Sequence, residues 1–264
     1  MTKLSVTHLK RMKQAGEKIA CLTCYDASFA RVLNEAGIEV LLVGDSLGMV
    51  VQGRDTTLEV KLSDMIYHTA HVRRGAAHAF VVADMPFMSY ATPFQALGNA
   101  ARLMSEGSAQ MVKMEGGTWL VETIRLLDSR GIPVCAHLGL LPQSIHKIGG
   151  YSVQGRDADA ALQLKEEARI LEEAGAAMLV LECIPSPLAA EVTASLTIPV
   201  IGIGAGSDCD GQVLVLYDML GISGKSPRFS KNFLASRTSI LEAIKAYRQA
   251  VKTGEFPASE HGFD

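Results

Sequence analysis

One pattern constrains this chain more than any other. A short run rich in β-branched and aliphatic residues is followed by a longer stretch of helical spacing, then by another short run. The runs that read as strands are Ile19–Thr23, Val40–Val43, Phe80–Ala83, Gln110–Met114, Val134–Ala136, Met178–Leu181 and Val200–Ile203, with a weaker eighth at Leu214–Asp218. Helices are expected at Ser28–Ala36, Ser63–Gly75, Pro93–Glu106, Trp119–Ser129, Ala158–Ala174, Pro187–Leu196, Asp210–Leu216 and Ser230–Lys252. An N-terminal helix, Thr7–Gln14, precedes the first strand. Strands separated by crossover helices run parallel. An open doubly wound sheet and a closed (β/α)8 TIM barrel both satisfy that rule. Seven or eight units in 264 residues favour the barrel, which takes about 250. No composition break or linker divides the chain, so one domain over residues 1–264 is expected.

Composition narrows the possibilities. A chain that is 48% hydrophobic with a net charge of −3 is no disordered protein. Its apolar runs are strand-sized, far below the ~18 residues of a bilayer-crossing helix, so no membrane span is expected. With 25 basic against 28 acidic residues, nothing points to nucleic acid. Lys10, Arg11 and Lys13 read as a solvated helix face. No apolar segment before a small-residue cleavage site marks the N-terminus, so no secretory signal is expected. Five scattered cysteines, an odd number, suit a reduced, cytoplasmic chain. Cys21 and Cys24 form a C-x-x-C within an apolar strand run instead of at a helix start, so a structural role is expected.

The chemistry gathers at the strand ends. Asp45, Asp84, Glu115, His137 and Glu182 each follow a strand run, and Lys113 stands two residues before Glu115. In a barrel these ends share one face, where active sites lie. Lys113 and Glu115 share a side of their strand because side chains alternate. Three acids at one mouth repel unless a cation neutralises them, and oxygen-only ligands suit Mg²⁺. The competing reading makes each acid the N-cap of the next helix. Glu182 follows a wholly apolar run. Burial raises a carboxylate's proton affinity, which makes Glu182 the candidate base. Lys113 and His137 are placed to hold a substrate carboxylate or a developing enolate oxygen. The turn Gly202–Gly206 reads either as a phosphate cradle or as a tight turn. Two long loops, Gly44–Leu62 and Leu138–Asp157, each carry Val-Gln-Gly-Arg-Asp and are lid candidates, with Gly149 and Gly150 as a hinge.

The segments Val43–Met49, Asp84–Phe87, Val112–Gly117, His137–Leu140 with Pro142–Ser144, Leu181–Pro185, and Ile201–Gly206 with Asp210–Gln212 resemble, in order and over nearly the whole chain, the ketopantoate hydroxymethyltransferase family. Leu141 departs from it, at a position where threonine is more usual. The resemblance implies a barrel of the phosphoenolpyruvate/pyruvate superfamily. It implies a Mg²⁺-dependent transferase of pantothenate biosynthesis, with one ion per subunit. The reaction would join 3-methyl-2-oxobutanoate to a one-carbon unit from the co-substrate 5,10-methylenetetrahydrofolate, giving 2-dehydropantoate. Positions matching Asp45, Asp84 and Glu115 serve the metal, and those matching Asp45, Ser46, Asp84 and Lys113 bind the oxo acid. His137 joins the substrate-binding group, and the position matching Glu182 is the proton acceptor. A cytoplasmic homodecamer is also implied. No aromatic cluster marks a pterin slot. Tyr25, Tyr90 and Trp119 read as packing or rim residues. A Mg²⁺-dependent oxo-acid lyase, a phosphate-binding isomerase and a non-catalytic small-molecule carrier on the same barrel remain alternatives on the residues alone.

Overall fold

The computed structural model describes residues 3–224 and 226–264. The strands are β1 (Ile19–Thr23), β2 (Val40–Val43), β3 (Phe80–Asp84), β4 (Met111–Glu115), β5 (Val134–Gly139), β6 (Met178–Glu182), β7 (Val200–Ile203) and β8 (Gly211–Leu214). They pair in sequence order, all parallel, and β8 pairs back with β1 to close the barrel. The helices are α1 (Val6–Gln14), α2 (Ala27–Glu35), α3 (Leu47–Val50), α4 (Leu62–Gly75), α5 (Pro93–Ser105), α6 (Val121–Asp128), α7 (Ile145–Ile148), α8 (Ala158–Glu173), α9 (Ser186–Ser195), α10 (Leu216–Met219) and α11 (Ile240–Thr253). Among the described residues no helix is long and apolar enough to cross a membrane.

Both faces of every strand are covered, which is why the strands read as continuous apolar runs. One set of alternate residues, including Cys21, Phe80, Val82, Met111, Cys135 and Val180, packs inside the barrel. The other set, including Leu22, Leu41, Val81, Val112 and Leu179, packs under the helices. Leu9 and Met12 of α1 join the interior cluster, so the N-terminal helix plugs the lower end. Lys13 is no solvated charge. Its Nζ pairs with Asp210 Oδ2 at 2.8 Å and donates to Thr193 O at 2.9 Å.

The last turn of the barrel corrects the sequence reading. The segment Leu214–Asp218 is not a strand, and Asp210–Leu216 is not a helix. The eighth strand is Gly211–Leu214, followed by α10. Asp210 does not cap a helix, because its Oδ2 accepts the Val200 N–H at 2.8 Å besides holding Lys13. Gly211 is required by close approach: a Cβ there would stand 2.3 Å from Ile19 O, where β8 meets β1. The final helix is shorter than the expected Ser230–Lys252. Ser239 Oγ accepts the Glu242 N–H at 3.2 Å and sets its start. Gly37, Gly131 and Gly175, each between a helix and the next strand, take left-handed backbone, whereas after α5 Ser108 does so and Gly107 does not. Gly107 serves packing, since a Cβ would meet Leu103 O at 2.6 Å.

The seam between β8 and β1 is held from outside by α11. The hydroxyl of buried Tyr247 lies 2.8 Å from Cys21 O and 2.9 Å from Gln212 O, and its ring packs edge-on against Phe233. Removing that hydroxyl strands buried acceptors, at about 1–3 kcal/mol. Tyr247→Phe is therefore expected to lower Tm by roughly 2–8 °C. A Tm within 1 °C of the parent would show that this donor does not hold the seam.

Candidate active site

Register builds the site. Across β3 and β4, Asp84 is the partner of Lys113, and across β4 and β5, Glu115 is the partner of His137. These four residues are buried and belong to the inward-facing set. β3, β4 and β5 run far enough to include their ionisable residues, Glu182 is the last residue of β6, and Asp45 lies two residues past the end of β2. Lys113 Nζ stands 2.7 Å from Asp84 Oδ1, with both side chains about 5% exposed or less. Asp84 Oδ2 accepts the Asp45 main-chain N–H at 3.0 Å. His137 lies between two acids, with Nδ1 3.6 Å from Glu115 Oε1 and Nε2 3.2 Å from Glu182 Oε2. Ser46 follows Asp45, its Oγ 2.9 Å from the Tyr25 hydroxyl. All seven candidate residues thus sit at the C-terminal ends of β2 to β6.

Glu182 differs from expectation. It is not sealed in apolar surroundings: its side chain keeps 14% exposure and faces His137. The chain around it is fixed instead. Glu182 O accepts the Leu140 N–H at 2.8 Å, the Cys183 N–H donates to Ile203 O at 2.9 Å, and Cys183 O accepts the Gln154 N–H at 2.9 Å. Cys183 takes left-handed backbone, φ +48°, directly after Glu182. For a residue with a Cβ this costs on the order of 1 kcal/mol or more, a strain seen mainly at functional sites.

The charges perturb one another strongly. Burial, then Asp84 and Glu115, push the Asp45 carboxyl well above its usual range. Burial works against the Lys113 ammonium, but Asp84, Glu115 and Asp45 together push it up. Burial would raise Glu115, yet His137, Lys113 and the Gln143 N–H hold it below the usual value. Burial and Lys113 oppose charge on His137, while Glu115 and Glu182 carry it up to about 9.

None of the strand-end acids caps a helix. The side-chain caps among the described residues are Asp26 on α2, Thr92 on α5, Asp157 on α8 and Ser239 on α11. That removes the ground on which a carrier with capping acids rested. The glycine turn after β7 is buried protein. A Cβ at Gly204 would meet Phe229 and Phe263 at 3.0–3.1 Å, and one at Gly206 would meet Ser186. All five cysteines are buried free thiols, and burial pushes Cys24 and Cys135 up to about 12. A cleft of about 640 Å³, lined in part by His8, Arg11, Glu39 and Arg248, contains none of the strand-end residues.

Sequence reasoning missed Gln143 as a site residue. It is buried and bonds directly to Asp45 and Glu115. Tyr90 and Trp119 are rim and packing residues as expected, but the Tyr90 hydroxyl reaches Gln143 and the Glu115 main chain. A lone glutamine in a loop carries no periodic or spacing signal. Only its place in Pro142–Ser144 marked it.

Comparison with known proteins agrees with this geometry. The model of the ketopantoate hydroxymethyltransferase family matches residues 3–259. A 3-methyl-2-oxobutanoate hydroxymethyltransferase of Nitrosococcus oceani is 62% identical over 261 residues, covering 98% of this chain and 99% of the relative. Among solved structures, a putative phosphonomutase from Burkholderia cenocepacia superposes with a TM-score of 0.65 at 17% identity, covering 82% of this chain and 95% of its own. A 2,3-dimethylmalate lyase of the PEP mutase/isocitrate lyase superfamily gives 0.58 at 16%, covering 98% and 89%. At that identity the structural likeness speaks for the shared barrel.

Breaking a buried ion pair from one side leaves an uncompensated charge and costs about 3–5 kcal/mol. Lys113→Met is expected to lower Tm markedly in chelator, and adding Asp84→Asn should recover most of the loss. Equal Tm for the single and double variants would show that Lys113 and Asp84 are not energetically coupled.

Proposed function

The chain belongs to the ketopantoate hydroxymethyltransferase family, and from that premise we propose the reaction it performs and the residues that perform it. It transfers a hydroxymethyl group from 5,10-methylenetetrahydrofolate to 3-methyl-2-oxobutanoate, giving 2-dehydropantoate and tetrahydrofolate. The observation that carries the reading is the row of charged side chains at one rim: Asp45 beside Asp84, Asp84 paired with Lys113, and His137 between Glu115 and Glu182.

The donor set fits Mg²⁺. Asp45 is pushed up by burial and by Asp84 and Glu115, so these acids crowd one another beyond what Lys113 neutralises. Among the described residues no set of three or more His, Cys, Asp or Glu side chains is gathered closely enough to hold a metal ion by itself. Mg²⁺ needs no such set, because it is held by one or two carboxylates with waters and substrate oxygens. Asp45 and Asp84 would hold it directly. Glu115, engaged by the Gln143 N–H at 2.9 Å and facing His137, would act through water. When bound there, Mg²⁺ supplies a Lewis acid worth several kcal/mol to the charge that builds on the oxo-acid carbonyl.

The protein's own groups do the rest. Lys113 and the Ser46 main-chain N–H hold the oxo-acid carboxylate. His137 Nε2, 3.2 Å from Glu182 Oε2, orients the Glu182 carboxylate. Glu182 takes the proton from C3, and a positioned base contributes about 10²–10⁴-fold. The electron pair left at C3 forms the bond to the methylene carbon of the folate. Both C–N bonds of that carbon break, and one water supplies the hydroxyl oxygen. The C3 proton, by way of Glu182, and the remaining water proton end on the two folate nitrogens of tetrahydrofolate. The family resemblance also supports a cytoplasmic homodecamer.

Glu182→Gln is expected to abolish exchange of the C3 hydrogen into deuterated water while oxo-acid binding persists. Undiminished exchange would remove Glu182 as the base. Asp84→Ala should weaken Mg²⁺ binding sharply by calorimetry, and unchanged affinity would refute the metal site. The reaction itself is tested by turnover of the oxo acid with methylenetetrahydrofolate and Mg²⁺, which chelator should abolish. Cleavage of an oxo acid with no folate requirement would instead favour a lyase.

A further inference from the structure

One side chain joins several of the loops that make this rim. Gln143 is 6% exposed and lies in the 3-10 turn Pro142–Ser144 after β5. Its Nε2 donates to Asp45 Oδ2 at 2.8 Å and to Met85 O at 3.0 Å. Its Oε1 accepts the Tyr90 hydroxyl at 2.6 Å, and its main-chain N–H donates to Glu115 Oε2 at 2.9 Å. These partners stand after β2, after β3, in the approach to α5 and at the end of β4.

The orientation of the amide follows from its partners. A carboxylate and a main-chain carbonyl accept only, so the NH₂ group must face Asp45 and Met85. Tyr90 oxygen accepts the Glu115 N–H at 3.3 Å, and of the two acceptors in reach of its own proton, Gln143 Oε1 at 2.6 Å and Glu115 O at 3.3 Å, the nearer takes it. A flipped amide would set an acceptor against two acceptors. Tyr90 is fixed in turn, since its ring stacks parallel to Trp119 with centroids 5.9 Å apart and planes 9° off. Gly116 allows that approach, because a Cβ there would stand 2.5 Å from Trp119 Nε1.

A carboxylate with one oxygen bound to a rigid donor cannot turn. Gln143 commits Asp45 Oδ2, while Asp84 receives the Asp45 main-chain N–H, so both side chain and backbone of Asp45 are set. The same residue commits one oxygen of Glu115 through its main chain. Acids that repel one another would otherwise rotate apart. Partners behind the ligating groups typically account for 10–100-fold in metal affinity or activity.

We propose that Gln143 is a positioning residue, locked by Tyr90, that fixes the Asp45 and Glu115 carboxylates in the arrangement that receives the divalent cation and the oxo acid. This rests on the functional reading above. Gln143 touches neither reacting carbon nor transferred proton and works through the acids.

The test compares the parent with Gln143→Ala, the isosteric Gln143→Glu, which sets a carboxylate against Asp45, and Tyr90→Phe, which frees the amide. Mg²⁺ affinity is measured by calorimetry without substrate, kcat and KM separately by turnover, and Tm in chelator. Both Gln143 variants should lose about 10–100-fold in Mg²⁺ affinity and in kcat, and Tyr90→Phe several-fold in the same direction. KM for the folate should stay within twofold. Should a Gln143 variant not fold, Tyr90→Phe still decides, because it removes one hydroxyl. Lower Tm with parental Mg²⁺ affinity and kcat would overturn the proposal in favour of a purely structural role. A parent that turns over without binding Mg²⁺ overturns the metal reading alone, and kcat then judges Gln143. A parent that does neither overturns both.

Discussion

A buried ammonium placed among carboxylates is the interaction on which this rim depends. Lys113 is 5% exposed, 2.7 Å from Asp84, with Asp45 and Glu115 close enough to push its proton affinity up. Charges removed from water are tolerated only when paired and hydrogen-bonded, because desolvation costs several kcal/mol per ion. Asp84 has Lys113 and the Asp45 N–H, and Glu115 has the Gln143 N–H, while the His137 ring nitrogens stand 3.6 Å from Glu115 and 3.2 Å from Glu182 without a formed hydrogen bond. Asp45 remains the least compensated, pushed up by burial and its acidic neighbours, and that imbalance is what a divalent cation would relieve.

The barrel makes the arrangement possible in two ways. Parallel pairing in strict sequence order fixes which residues are neighbours, so Asp84 falls beside Lys113 and Glu115 beside His137 without any loop having to place them. The apolar interior below, from Cys21 to Val213, excludes water and strengthens every charge interaction above it. The two ends divide the labour. The lower end is stapled by α1 and the Lys13–Asp210 pair, and the upper end carries the strained backbone at Cys183 and the acids.

Much of this was legible in the sequence, for physical reasons that also explain the failures. Strands buried on both faces are continuous apolar runs, and seven were read within a few residues. The ionisable residues at their ends stood out because each is a charged or titratable group set directly after an apolar run. The eighth strand was misread because Gly211 and Gln212 look unlike a strand and Asp210 looks like a cap. Close backbone approach to Ile19 explains the glycine, the Gln212 side chain donates to Gly206 O, and Lys13 pairs with Asp210. The environment of Glu182 was misjudged because a run of apolar neighbours along the chain does not fix what lies across the barrel, where His137 stands. Gln143 was invisible as a site residue because its role lies in four partners distant in sequence. The base role of Glu182, the anion-holding role of Lys113 and His137 and the Mg²⁺ reading came from the strand-end residues, whereas the identity of the substrates came from family resemblance.

The central claim is that Asp45 and Asp84 together bind a divalent cation against an oxo acid, within reach of Glu182. A crystal grown with Mn²⁺ in place of Mg²⁺ and with 3-methyl-2-oxobutanoate tests it most directly, through anomalous scattering. The account predicts one ion per chain bonded to Asp45 and Asp84 oxygens at about 2.1–2.2 Å, with two oxo-acid oxygens beside it and C3 facing Glu182. An ion seated elsewhere, or an oxo acid bound away from these two carboxylates, would contradict it.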